Sequence, residues 1–282
     1  MKSMIRSMLR QITKFPIDDT QLSKSINEFN TTAYNFVTNL HTTAVLPISA
    51  VIISIILVLE LARNATHMEG DHQMGVKIIA ATMFKSALLV IAAQNSTMFL
   101  NAINEVSSKI IIGIGKTKTD FGSDADLKTL NDKIIPLVSD LDTGDQAGMI
   151  MMLLIPYLTV IIARVVIQVM IIFRFTELYA MSAFASLPIA FLGHPDTKNM
   201  GVNYLQKYAA VSLHGATLML AISIYSALMH SGVVVNGFLK IGDKDKLADW
   251  MFSHYVDFVI PPIVLLILTL ASGKIAKSLV GQ

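Results

Sequence analysis

Apolar and polar positions are sorted into long blocks along this chain rather than alternating singly. Residues Phe29–Leu59 carry no charge, Met149–Phe173 carries only Arg164, and from Tyr208 no Asp, Glu, Lys or Arg appears before Lys240. Water would not accept several such runs so close together. A bilayer does, because a hydrocarbon core of ~30 Å takes about 20 apolar residues per helix. The pattern predicts spans at Thr43–Leu61, Ile78–Leu100, Met149–Phe173, Leu178–Leu192, Tyr208–Val234 and Phe258–Leu270. The fourth is short and contains Pro188, so it either crosses a thin region or enters and returns while buried in protein. The predicted fold is all-α, a polytopic membrane helix bundle with five or six transmembrane helices.

The segments between the blocks sharpen this picture. At the N-terminus Met1, Met4, Ile5, Met8, Leu9 and Ile12 recur at helical spacing, while Lys2, Arg6, Arg10 and Lys14 form a basic stripe. This is an amphipathic helix. It lies either in the membrane interface with its basic groups on lipid phosphates, or packed on the protein's own spans or on a partner. Pro16 and Asp18-Asp19-Thr20 end it. Residues 1–41 are accordingly an amphipathic N-terminal segment and 42–282 one membrane domain, with the polar, net acidic loop 102–148 inserted between spans. The four residues Arg174-Phe175-Thr176-Glu177 read as a turn between spans, with Arg174 and Glu177 placed to satisfy one another at i, i+3 spacing. Lys85 and Arg164 fall inside spans, where a bare cation is costly, so they are expected to face the bundle interior, a partner or water. The small residues of the fifth span, with Ser212 and Ala216 four apart, fit close helix approach. Trp250, Phe252 and Tyr255 suit the membrane interface.

Composition adds exclusions. The chain has 282 residues, 53% hydrophobic and 15% charged, against ~25% charged in ordinary soluble domains. A net charge of +2 gives no bulk electrostatic case for nucleic-acid binding. With no cysteine, disulfides, thiolate metal sites and thiol nucleophiles are excluded. Met1 is followed by no short apolar run with a small-residue cleavage site, so the first span is expected to act as its own insertion signal. His67, Glu69, Asp71 and His72 are metal-ligand types, but their spacing matches no known pattern and a solvated loop is favoured. Gly113–Thr117 imitates the end of a phosphate-binding loop, yet Ile110 stands where the first glycine is required. No cofactor or metal is expected.

Three short elements carry a family resemblance: Arg174–Leu178 (RFTEL), Ala185–Ala190 (ASLPIA) and Asn203–Ala209 (NYLQKYA). A basic residue ends one span, a small-Pro-Ile-Ala element follows, and Lys207 opens the next helix. This resembles the TrbL-type polytopic channel components of type IV secretion and conjugation machines, in their compact Gram-positive form, over about Met149–Tyr225. The resemblance implies about five spans and a large extracytoplasmic loop between the second and third. It also implies no catalysis by this subunit, and as partners the bilayer, other secretion subunits including cytoplasmic ATPases, a transported DNA–protein substrate and further copies of the chain. Arg174, Glu177, Pro188 and Lys207, with Arg164 and Lys85, are the candidate structural and assembly residues.

Orientation is left between two arrangements. With six spans, Lys and Arg are commoner on the side of the N-terminus, which the positive-inside rule places in the cytoplasm. Five spans and the resemblance put the N-terminus and 102–148 outside. Both put His194–Lys207 and the C-terminal tail inside. Two other functions compete. Lys85, Arg164 and the Pro188 break could form a midplane site of a small-solute transporter, although no inverted repeat supports it. A membrane-embedded enzyme would need ionisable residues in the spans, and no His/Asp/Glu pair lies within one.

Overall fold

The computed structural model describes residues 2–13, 20–66, 72–117, 136, 142–231 and 245–282. All regular structure among them is helical, as the block pattern predicts. Helix α1 is Lys2–Thr13, and two single turns follow, α2 (Thr20–Ser23) and α3 (Ile26–Phe29). Next come α4 (Thr31–Leu40), a π-helical turn at His41–Val45 and α5 (Leu46–Thr66), then α6 (His72–Gln94) and α7 (Ser96–Thr117). The chain continues with α8 (Thr143–Ala183), the short α9 (Ser186–Phe191), α10 (Lys198–Ser231), α11 (Asp245–Ser253) and α12 (Tyr255–Leu279).

Five stretches among these residues are long and apolar enough to cross a membrane: Thr31–Ala65, Gly75–Gln94, Thr143–Ala183, Lys198–Met229 and Tyr255–Leu279. The helices run past the apolar blocks that predicted them. Arg174-Phe175-Thr176-Glu177 is not a turn but part of α8, because it contains no breaker and Arg and Glu are good helix formers. Leu178–Leu192 is therefore not a separate crossing. Its first half completes α8, two turn residues, Phe184 and Ala185, follow, and α9 contributes only six residues. The break falls where Pro188 favours it, since Phe184 is the i−4 residue whose carbonyl the proline ring would crowd in an unbroken helix. Pro188 itself sits in the first turn of α9, where its missing N–H is no loss. The second predicted span is cut at Asn95, whose side chain donates to the Ile91 carbonyl at 2.8 Å, and α7 continues from there. The α5–α6 connection is shorter than the polar linker predicted, since residues 62–66 and 72–77 are helical.

On α8 the large exposed apolar side chains run from Met151 to Phe173. At 1.5 Å per residue that stripe is about 33 Å long, one hydrocarbon thickness. Several hydroxyls within the spans are satisfied locally: Ser49, Ser54, Thr82, Thr159 and Thr269 each donate to the carbonyl four residues back, at 2.8 to 3.0 Å. With no water in the hydrocarbon, such internal satisfaction is required.

The chain divides into two compact units. The first comprises Met1–Ser23, Lys109–Ile172 and His214–Ile275. In it the apolar face of α1 (Ile5, Met8, Leu9, Ile12) is buried, and the Tyr225 hydroxyl donates to the Ile12 carbonyl at 2.6 Å. Of the two placements open to this helix, the structure shows the one packed on the protein's own spans. His214 Nε2 and Ser272 Oγ are 2.8 Å apart and Thr217 donates to the Ser272 carbonyl at 3.1 Å, which ties α10 to α12. The second unit comprises Lys24–Ser108, Phe173–Leu213 and Ala276–Gln282. Here α9 packs with α5 and α6 through Ile53, Ala93, Ile189 and Ala190.

Candidate functional site

The charged residues that the sequence places in spans separate between the two units. In the second, Lys85 Nζ on α6 lies 3.7 Å from Glu60 Oε1 near the end of α5. The other oxygen, Glu60 Oε2, has no solvent access and lies 3.8 Å from His194 Nε2, in the turn after α9. His194 Nδ1 accepts from the Asp196 backbone N–H at 3.3 Å and lies 3.6 Å from Asp196 Oδ2. A charged cluster thus joins α5, α6 and the α9–α10 turn. Sequence reading found Lys85 but missed Glu60 and His194. Glu60 was visible as an acid inside a predicted span; His194, 134 residues further on, carried no signal. Only Glu60 of this pair lies in a span; His194 reaches it from the turn outside.

Packing holds the α9 segment in place. Ser49 and Ser186 hydroxyls are 2.7 Å apart at its start. At its end a Cβ on Gly193 would come within 2.7 Å of Leu89 Cδ1, so the turn sits close against α6 and a larger residue would make the Leu89 side chain shift. A Cβ on Gly201, in the first turn of α10, would meet the Pro188 carbonyl oxygen at 2.5 Å. That is the structural context of Pro188.

Arg174 is fully buried in α8, with its guanidinium carbon 5.0 Å from the Phe175 ring centroid. Phe175 in turn stacks on Phe29 of α3 at 3.8 Å. The Tyr179 hydroxyl is 2.6 Å from the Ile26 carbonyl oxygen, to which it donates, and Tyr204 on α10 donates to the Met181 carbonyl. Glu177 Oε1 meets Lys207 Nζ of α10 at 3.5 Å. Arg174 and Lys207 therefore belong to one α8–α10 region, with Glu177 bridging the two helices.

In the first unit Arg164 is half-buried and its Nη2 lies 3.5 Å from Gln11 Oε1 of α1. Lys2, Arg6 and Arg10 are exposed on α1, and Lys14 lies outside the described residues. Trp250 is half-buried, stacked on His254 at 4.6 Å and edge-on to Phe258 at 6.2 Å. Gly113–Thr117 is helical, in the last turns of α7, and forms no phosphate-binding loop. His67, Glu69 and Asp71 lie outside the described residues, among which no cluster of metal-ligand side chains occurs.

The arrangement is a set of helix-joining contacts within a membrane bundle. A family model described as TrbL/VirB6 plasmid conjugal transfer like protein matches residues 17–186. The chain belongs to this family. The match takes in Arg174–Leu178 and the beginning of Ala185–Ala190, but not Asn203–Ala209, so the resemblance reaches further toward the N-terminus than those three elements indicated. No curated protein matches the sequence. The protein is a multi-pass membrane protein and a component of a conjugal transfer system, which implies association with other subunits of that system.

Proposed function

We propose that this chain is a non-enzymatic channel or scaffold subunit that helps pass a conjugative substrate across the cytoplasmic membrane. The observation that carries the reading is the family match to a polytopic bundle with five candidate spans. A large substrate cannot use a closed midplane pocket; it needs an assembly, and assembly needs contact surfaces. α10, rich in small residues, has 61% of its most apolar window buried, against 11–33% for the other candidate spans. Its buried small residues, Ala210, Ser212, Ala216 and Ala221 among them, suit it to close helix contact. The exposed apolar faces of α5, α6, α8 and α12 are left for lipid or for further copies and partner subunits. The turn 194–197 and the start of α10 form the cytoplasmic contact for the energising ATPases.

Deleting the gene from its native element should abolish transfer to recipient cells while DNA nicking at the transfer origin continues. The purified protein should hydrolyse no nucleotide. Normal transfer by the deletion strain, with loss of uptake of a small solute instead, would favour a transporter.

A further inference from the structure

The link between α8 and α10 has a polar fastening at each end. At its start, α8 stops in a tight turn in which Phe184 and Ala185 N–H groups donate three residues back, to Met181 and Ser182 carbonyls. Two other helix irregularities occur in the same unit. One is the π-helical turn at His41–Val45, whose neighbouring Thr42 and Thr43 hydroxyls take up the Asn39 carbonyl. The other is the Asn95 break between α6 and α7. The buried His41 Nε2 and Ser96 Oγ, 3.2 Å apart, join these two. α9 packs beside the π-turn, and Ser186 meets Ser49 one turn beyond it. Helix interruptions are where a bundle can bend, because the regular i to i−4 ladder is already broken there.

The far end of the link is held by charge. From α5 it meets Glu60, from α6 Lys85 lies behind the same carboxylate, and from its own turn His194 also faces Asp196. Lys85 engages one oxygen of Glu60 and is 48% exposed, whereas the other oxygen is sealed from solvent and faces His194. A desolvated carboxylate oxygen is costly unless a positive or donating group meets it. The Asp196 N–H on Nδ1 fixes the neutral imidazole with its proton on Nε2, toward Glu60. Protonation adds a full charge there, and Nδ1 then exchanges the bond it accepts from the Asp196 N–H for one donated to the Asp196 carboxylate.

We propose that His194 is a protonation-operated latch: its charged form fastens the α8–α10 link onto α5 and α6 through Glu60, and its neutral form releases it about the turn at Phe184–Ala185. The latch closes as pH falls and loosens as pH rises, because imidazole carries its charge at the lower pH. The link is closely seated, with Gly193 against Leu89 and Gly201 against the Pro188 carbonyl.

The test is hydrogen exchange of residues 186–197 in the full-length protein in lipid nanodiscs, at pH 5.5 and 8.0, corrected for intrinsic rates. The wild type should be more protected at the lower pH, on the order of three- to fivefold, the factor a partly exposed ion pair supplies. His194→Gln and the nearly isosteric Glu60→Gln should each remove that difference. Ser186→Ala, at the other fastening, should lower protection at both pH values and keep the difference. Equal protection of the wild type at the two pH values, or a difference that survives Glu60→Gln or His194→Gln, overturns the latch. The readout involves no transfer, so it can fail while the channel reading stands.

Discussion

Two glycines show how closely single positions are specified. At Gly201 an added methyl group would lie 2.5 Å from the Pro188 carbonyl oxygen and 2.6 Å from Leu192 Cδ2. The backbone oxygen cannot swing aside as a side-chain tip can, so Gly201→Ala forces α9 and α10 apart. Overpacking of this kind costs about 1–3 kcal/mol. Gly113, within α7, has nothing within 4 Å of the position a Cβ would occupy. There alanine only improves helix propensity, by up to about 1 kcal/mol. Thermal unfolding in detergent should therefore move in opposite directions for the two variants, down for Gly201→Ala and up for Gly113→Ala. A Gly201→Ala protein as stable as the wild type would mean that the α9–α10 contact is looser than described. Neither glycine could be ranked from sequence, because what distinguishes them is a neighbour brought in by folding.

Elements differ in how far their limits can be read from the chain. α3 is local. Ser25 accepts from the Glu28 N–H at 3.3 Å and Glu28 returns the bond to the Ser25 N–H at 2.9 Å, a capping box written in four consecutive residues. These bonds from Ser25 hold the Glu28 carboxyl below its ordinary value. A depressed carboxylate contributes stability that is present above the unfolded pKa and lost as pH falls through the folded one. Order at residues 25–30 should thus be complete above about pH 5 and weaken below about pH 4. Glu28→Gln should show little of that acid dependence in hydrogen exchange; an unchanged acid profile would exclude the box as its origin. The membrane helices are legible for a different reason, the length of their apolar blocks. Their ends are not, because a helix stops at a breaker or a cap and not where apolarity ends. α8 accordingly runs through Arg174 and Glu177 to Ala183. The candidate site was half legible. Lys85, Arg164 and Glu177 stood out as charges in or beside apolar runs, but their partners Glu60, Gln11 and Lys207 come from other helices and follow no spacing rule.

At the scale of the whole molecule, five candidate spans replace the six-block count, and an odd number puts the two ends of the membrane domain on opposite faces. The deciding element is α9. Six helical residues rise about 9 Å, far short of ~30 Å of hydrocarbon. The chain therefore leaves α8 and enters α10 on the same face. We propose that the α7 end and the N-terminal helix lie on the other face and that this face is outside, a placement the family resemblance and the net acidic 102–148 region favour against the Lys and Arg of α1. Because the chain contains no cysteine, each introduced thiol is unique. Thr117 and Asn199 are exposed and separated by α8 and α9, which makes Thr117→Cys and Asn199→Cys a matched pair. In intact cells a membrane-impermeant maleimide should modify the thiol at 117, and reach the one at 199 only after permeabilisation. The reverse pattern would place the N-terminus in the cytoplasm and move the ATPase contact away from 194–197. Labelling of both from the same side would mean that α8 does not cross, and the five-span bundle would have to be abandoned.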